Sequence, residues 1–349
     1  MLVNLLNAFA GRGHRIHLVL IRSSSRHLQH LAPSIRTIDL GSRHTATSLW
    51  PLMRYLWRYR PPRLLVAKDR AGRLAVLARL LSGVHTRILL RLGTNLSAAL
   101  AQRSRLQRWL RRTPIRLLYS HIDQIIAVSE GVRQDTLAVS GIDPARISVI
   151  RNPVVTAQLY ELAQQPPPHP WFTQPHPPII LGAGRLTRQK DFPTLIRSFA
   201  RLRETHDCRL IILGDGREAA ELRGLAAQLG VAGDLDLPGF TDNPYSYMAH
   251  AQLFVLSSRW EGSPNVLTEA MALGTPVVAT DCPSGPAEIL QGGRYAPLVS
   301  MGDWQALANA MAQMLDSPPT RDSLREAVRE YAVETSASHY LKLLGMEPG

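Results

Sequence analysis

Short runs of consecutive apolar residues alternate along this chain with longer stretches whose apolar positions recur at helical spacing. A continuous apolar run marks a strand buried on both faces, and an amphipathic stretch supplies the cover. In the second half the runs predict strands at Ile179–Gly182, Arg209–Leu213, Leu235–Leu237, Leu253–Ser257 and Pro276–Ala279, with helices over Thr194–Thr205 and Glu218–Leu229 among them. The first half repeats the pattern, with strands at Arg15–Ile21, Leu64–Ala67, Arg87–Arg91, Gln124–Val128 and Ile147–Ile150. Strands alternating with helices imply right-handed βαβ units and a parallel sheet. The fold class is therefore α/β, with two doubly wound, Rossmann-like domains and a ligand in the cleft at the carboxyl ends of their strands.

Two places depart from the alternation. Met1–Ala10 has helical apolar spacing, and Gly11 and Gly13 follow as stop signals. A doubly wound domain opens with a strand and a glycine-rich turn; neither is present, so the first domain is expected to lack its first strand. The stretch 164–178 holds seven prolines, which favour an extended, semi-rigid connector. Domains are accordingly expected at 1–163 and 179–333, with 164–178 as linker.

Composition narrows the function. With 45% apolar residues among 349, the chain is not disordered. Its wholly apolar stretches, such as Leu253–Leu256, fall far short of the roughly 20 residues of a membrane helix. The first basic residue, Arg12, follows the initial apolar stretch, unlike a secretory leader. Cys208 and Cys282 are the only cysteines, so no disulfide framework is expected and the cytoplasm is the natural compartment. Charge is unevenly shared: residues 1–150 hold 24 Lys and Arg against 6 Asp and Glu, and residues 151–349 hold 16 against 21. A basic half suits nucleic acid, anionic lipid or a phosphorylated substrate. No zinc-finger spacing, aromatic RNA-binding signature or helix-turn-helix supports nucleic acid.

Three segments carry candidate chemistry. In Trp260–Glu269, Pro264 suits the first helical position with Ser263 as N-cap, so Glu261 lies on a loop and Glu269 inside the helix. The N–H groups at that helix start suit an anion or sugar hydroxyls, although the two acids read equally well as solvated charges. In Gly182–Asp191, a weak Gly-x-Gly puts Arg185 and Lys190 on a flexible loop after a strand, where two cations can neutralise a diphosphate. Solvated charges explain them equally well. In Asp281–Glu288, Ser284 and Gly285 open another helix toward the same place, and Cys282 reads as a structural thiol. The 12 histidines form no ligand pair, so no bound metal is expected.

Together these residues resemble the C-terminal domain of glycosyltransferase family 4, retaining nucleotide-sugar enzymes with the GT-B fold. The resemblance rests on GAGRLTRQKD, LIILGDGRE, LPGFTDNPY and SSRWEGSPNVLTEAMALGTPVVATDCPSGPAEIL, the last embedding a Glu-x7-Glu pair. First-half segments AGRGHRIHLVL, IIAVSEGVRQD and RISVIRNPV also fit, and the final helices, about 334–345, resemble those that cross back onto the first domain. The resemblance implies that Arg185 and Lys190, beside Gly184, hold the donor diphosphate and stabilise the leaving nucleotide. It implies that Glu269 binds ribose hydroxyls and Glu261 the transferred sugar, with backbone contacts from Gly262, Ser263, Pro264 and Asn265. The base would stack near Gly239 and Phe240. Retention would proceed on the front face, with no protein nucleophile, metal or cofactor. On the acceptor side Arg91 and Asn95 are expected at the cleft, although a turn-forming Asn is an equal explanation.

Arg103, Arg105, Arg108, Arg111, Arg112 and Arg116 surround Leu106, Trp109 and Leu110, on a helix expected to end before Pro114. Such a basic amphipathic helix over residues 100–113 suits peripheral contact with an anionic membrane and a lipid-linked acceptor; an ordinary solvated face suits it equally. Two function classes follow. One is an enzyme moving a hexose or N-acetylhexosamine from a UDP-sugar to a glycan or lipid-linked acceptor, in the cytoplasm or on the inner face of its membrane. The other is a truncated, non-catalytic binding remnant of that family.

Overall fold

The computed structural model describes residues 1–22, 26–97, 105–173 and 175–346. They form two compact units, Met1–Pro153 with Val333–Gly349, and Val154–Ala332. The division falls at Pro153/Val154 and not in the proline-rich stretch, which belongs wholly to the second unit. Side chains explain the difference. His169 is buried and its Nε2 meets Asp236 Oδ2 at 2.9 Å, while Asn243 Nδ2 donates to the Leu162 carbonyl. Proline stiffness here shapes a strap packed on one unit rather than a free connector.

The second unit is a six-stranded, wholly parallel sheet. Its strands are β7 (Ile179–Ala183), β8 (Arg209–Leu213), β9 (Leu235–Gly239), β10 (Leu253–Leu256), β11 (Val277–Thr280) and β12 (Leu298–Val299), in the order β12-β11-β10-β7-β8-β9. Leu181 pairs with Ile211 on one side and Phe254 on the other, and all three are fully buried. Burial on both faces is why these strands read as unbroken apolar runs. The order reverses between β7 and β10, the topological switch point of the sheet.

The first unit contains β1 (His17–Leu20), β2 (Arg36–Asp39), β3 (Arg63–Ala67), β4 (Arg87–Leu92), β5 (Gln124–Ala127) and β6 (Ile147–Val149). β3 to β6 form one parallel sheet, and β1 pairs with β2 in another. Side chains on β4 alternate between two cores. Ile88 and Leu90 join Leu56, Val76, Tyr119 and Ile125, whereas Leu89 joins Leu5, Phe9, Tyr340 and Leu344. The second core is made by helix Leu2–Gly11 and the returning helix Val333–Leu344, whose Phe9 and Tyr340 rings meet edge to face at 6.5 Å.

The helix expected to stop before Pro114 instead runs from Arg105 to Tyr119, with Pro114 inside it. A proline removes one helical hydrogen bond. Tertiary anchors beyond it outweigh that loss: Ile115 and Tyr119 are buried, and the Tyr119 hydroxyl donates to Asp69 Oδ1 at 3.0 Å. Residues 100–104, and the side chains of 105–111 on which the basic face depends, lie outside the described residues. Among the described residues no helix is long and apolar enough to cross a membrane.

Candidate functional site

The carboxyl ends of β7 to β11 meet through their loops. Gly184 N donates to Leu213 O, Leu186 N to Asp215 O, and Gly214 N to Gly239 O, which join the loops after β7, β8 and β9. This closeness demands glycine at Gly214, where φ is +128° and a Cβ would lie 2.0 Å from the Gly184 carbonyl oxygen. On the other flank, Gly285 at φ +99° places the loop after β11 against Pro264, which a Cβ would meet at 2.6 Å. Gly285 thus supports the β10 loop, and Ser284 before it is in left-handed backbone at φ 65°.

Lys190 and Glu261 lie at the centre of this arrangement. Lys190 Nζ donates to Glu261 Oε1 at 2.7 Å, and the Ser258 hydroxyl donates to the same oxygen at 2.7 Å. Glu261 is only 9% exposed, yet its Oε2 has no protein donor among the described residues. A second carboxylate positions the pair. Asp191, 3% exposed and in left-handed backbone at φ 49°, accepts from Thr194 Oγ1, Arg259 Nε and Arg259 Nη2. Arg259 N donates to Gln189 O, Gln189 Nε2 to Trp260 O, and Ser257 Oγ to Lys190 O. These bonds tie the Lys190 loop to the Glu261 loop on either side of the switch point.

Helix Asn265–Leu273 begins one residue later than expected. Pro264, at ψ 101°, is its N-cap in place of Ser263, and no side chain caps it. The Pro264 carbonyl accepts from Leu267 N, which places the proline half-in, outside the helix proper. Glu269, on this helix, feels the Lys190 ammonium, but burial dominates and pushes its pKa up to about 7. Tyr245 nearby is raised by burial and by that same carboxyl.

The remaining expected residues divide. Arg185 is exposed on the loop after β7 and makes no ion pair among the described residues. Gly239 ends β9 at φ +91°, and Phe240 beyond it is exposed. Gly262 is buried and Asn265 opens the helix. Arg91 lies in β4 of the first unit, 7% exposed, with Nη2 donating to Asn152 Oδ1 at 2.6 Å. Burial lowers its pKa, with Tyr340 acting in the opposite sense. Asn95 is half-buried in the loop after β4. Cys282 and Cys208 are buried, and burial raises their pKa values to about 12 and about 11, so both stay as thiols. Ser258, Asp191 and Arg259 were not singled out from sequence. Asp191 precedes Phe192-Pro193 and reads as an ordinary helix cap, while its partner Arg259 is 68 residues away.

A charged pair at the switch point of a six-stranded parallel sheet, beside glycine-built loops and a helix start, defines the class of doubly wound α/β proteins. Comparison with known proteins makes this specific. The description "Glycosyltransferase Family 4" matches residues 1–158 and "Glycosyl transferases group 1" matches residues 169–331. An N-acetylgalactosaminyltransferase of Campylobacter jejuni, named as acting on an N-acetylgalactosamine-N,N'-diacetylbacillosaminyl-diphospho-undecaprenol, is 30% identical over 76% of this chain and 68% of its own. The lipopolysaccharide core glycosyltransferase LpsE of Rhizobium meliloti is 35% identical over 49% of this chain and 51% of its own, so the chain spans about half of that relative. An uncharacterized glycosyltransferase of Methanocaldococcus jannaschii is 44% identical over 32% of this chain and 28% of its own. Among solved structures, the galactosyltransferase WaaB superposes with a TM-score of 0.74 at 19% identity, covering 99% of this chain and 94% of that one. Anabaena Alr3699/HepE, solved with UDP, gives 0.75 at 18% identity, covering 99% and 96%. The chain belongs to glycosyltransferase family 4, with the GT-B fold.

Proposed function

We propose that this protein is a retaining glycosyltransferase that moves a hexose or N-acetylhexosamine from a UDP-sugar to a glycan or lipid-linked acceptor in cell-surface polysaccharide or glycolipid synthesis. The Lys190–Glu261 pair carries the reading. Lys190 and Ser258 both occupy Oε1 of Glu261, which leaves Oε2 to accept from hydroxyls of the transferred sugar. Lys190, with Arg185 from the same loop, neutralises the diphosphate as negative charge grows on it, and Glu269 accepts from the ribose hydroxyls. The base stacks at Gly239 and Phe240, and backbone N–H groups of Gly262–Asn265 complete the donor site. The sugar–phosphate bond breaks while the acceptor hydroxyl attacks the same face, and its proton passes to the departing phosphate oxygen. No protein nucleophile, metal or cofactor enters this scheme.

The relatives' names support the acceptor class, since they concern a diphospho-undecaprenol-linked saccharide and lipopolysaccharide core. Contact with an anionic membrane through residues 100–113 fits such an acceptor and a cytoplasmic protein. The test is a donor screen that follows UDP and GDP release with a set of sugars and lipid-linked acceptors. Release of UDP that requires an acceptor supports the reading. Tight donor binding without release under any acceptor returns the protein to the binding-only class, and release of GDP alone overturns the choice of base.

A further inference from the structure

We propose that Arg91 and Lys68, at the carboxyl ends of β4 and β3, form a phosphate-binding site in the first unit, and that it takes a phosphate group of the acceptor. The acceptor assignment rests on the transferase reading; the site does not. Arg91 is 7% exposed, and among the described residues its side chain donates to Asn152 Oδ1. Its Nε is buried without a partner, and so is the Tyr340 hydroxyl that feels the guanidinium. No carboxylate among the described residues pairs with it. Acids in the segments that leave β3 and β5 are engaged elsewhere: Asp69 accepts from Arg73 and the Tyr119 hydroxyl, Glu130 from Arg133, and Asp135 from Leu96 N and Ser97 N. A buried cation normally sits beside an anion, because desolvation of the charge outweighs one neutral hydrogen bond. Here the anion is left for a ligand to supply.

Two features give that ligand room and a second charge. Arg91 Nη1 makes no hydrogen bond among the described residues and lies beside Gly93, where a Cβ would meet it at 3.1 Å. Gly93 is not in left-handed backbone, so its conformation does not require glycine; the space over Nη1 does. Lys68 adjoins Arg91: its N–H donates to the Arg91 carbonyl at 3.2 Å, and Ala67 before it pairs with Arg91. Lys68 is exposed, forms no ion pair among the described residues, and holds φ 86°, which a residue with a Cβ adopts only under strain. A planar guanidinium edge with an ammonium point charge matches the oxygens and the double charge of a phosphate.

Pyrophosphate is the probe, titrated by calorimetry into the full chain carrying Arg185→Ala and Lys190→Ala, which disables the proposed diphosphate loop of the second unit. No turnover is read, so a chain that transfers no sugar still tests the site. Binding should persist in that background and exceed that of malonate, a dicarboxylate of similar size. Adding Arg91→Met should weaken pyrophosphate about 10-fold or more, while the melting temperature holds, since an apolar side chain replaces an unpaired charge. Lys68→Gly should weaken it about 3-fold and hold or raise the melting temperature by releasing the backbone. Gly93→Ala should weaken it with stability unchanged. If Arg91→Met does not fold, the last two variants decide. Absence of pyrophosphate binding, equal binding of malonate, or undiminished binding by the folded variants overturns the proposal. Farnesyl diphosphate separates the sources of the phosphate. Binding tighter than pyrophosphate and dependent on Arg91 supports a lipid-linked acceptor, and equal binding supports a phosphate on a soluble one.

Discussion

Burial pushes the pKa of the Glu269 carboxyl up to about 7, which gives its proposed donor role a measurable handle. Its pKa of about 7 lies above the ordinary 4.5, so an unfolding chain releases a proton there between those values. That contribution favours the fold on the acid side, and it is lost as pH rises through about 7. In the proposed role, ribose hydroxyls bond the ionised carboxylate more strongly than the neutral acid, so donor binding should draw the pKa down and release a proton. Donor affinity should therefore rise between about pH 6 and about pH 8, and calorimetry in buffers of different protonation enthalpy should detect the proton. Glu269→Gln should abolish that pH dependence and weaken binding by about 1.5–3 kcal/mol. Arg185 makes a simpler case. It is exposed and unpaired by any described carboxylate, so Arg185→Ala should spare the fold and lower transfer roughly 10²-fold. Native turnover in a folded Arg185→Ala protein would remove it from the diphosphate site. The residue types at these positions were legible in the sequence. The shared oxygen of Glu261 was not, because Ser258 and Lys190 approach it from different loops.

Among the elements, loops decide more than helices or strands. The unbroken apolar runs foretold the strands to within a residue or two, since burial on both faces leaves little freedom of composition. The short β2 and β12 escaped, being too brief for a pattern. The loop after β7 depends on Asp191 and Arg259, and Arg259→Ala strands a buried carboxylate whose remaining side-chain partner among the described residues is Thr194. Urea unfolding should show a loss of about 1–3 kcal/mol, with donor KM raised and Arg259→Lys restoring part of both. Gly184 tests the same loop sterically. At φ +153° its added Cβ would lie 2.7 Å from Lys190 Cε, so Gly184→Ala should push the ammonium off Glu261 and lower donor affinity more than stability.

At the scale of the molecule, the chain leaves its first unit at Pro153 and returns to it at Val333. The returning helix supplies Ala337, Tyr340, Leu341 and Leu344 to a core whose other buried members are Leu5, Phe9, Leu89, Ile126 and Ile150. Tyr340→Ala should cost about 3–5 kcal/mol, as a buried aromatic does, and denaturant unfolding should place that loss in the first unit. By itself the sequence determined the α/β class, the strands, the charge asymmetry and the loops on which Lys190 and Glu261 stand. Hydrophobic periodicity and glycine at turns are local properties, written within a few residues of where they act. Tertiary structure alone decided that the proline-rich stretch packs as a strap, that the helix runs through Pro114, and that Arg91 turns inward to Asn152. It also decided which carboxylates pair with Lys190 and Arg259. Each of these turns on contacts between residues far apart in the chain, where packing and burial override the preference of any single segment.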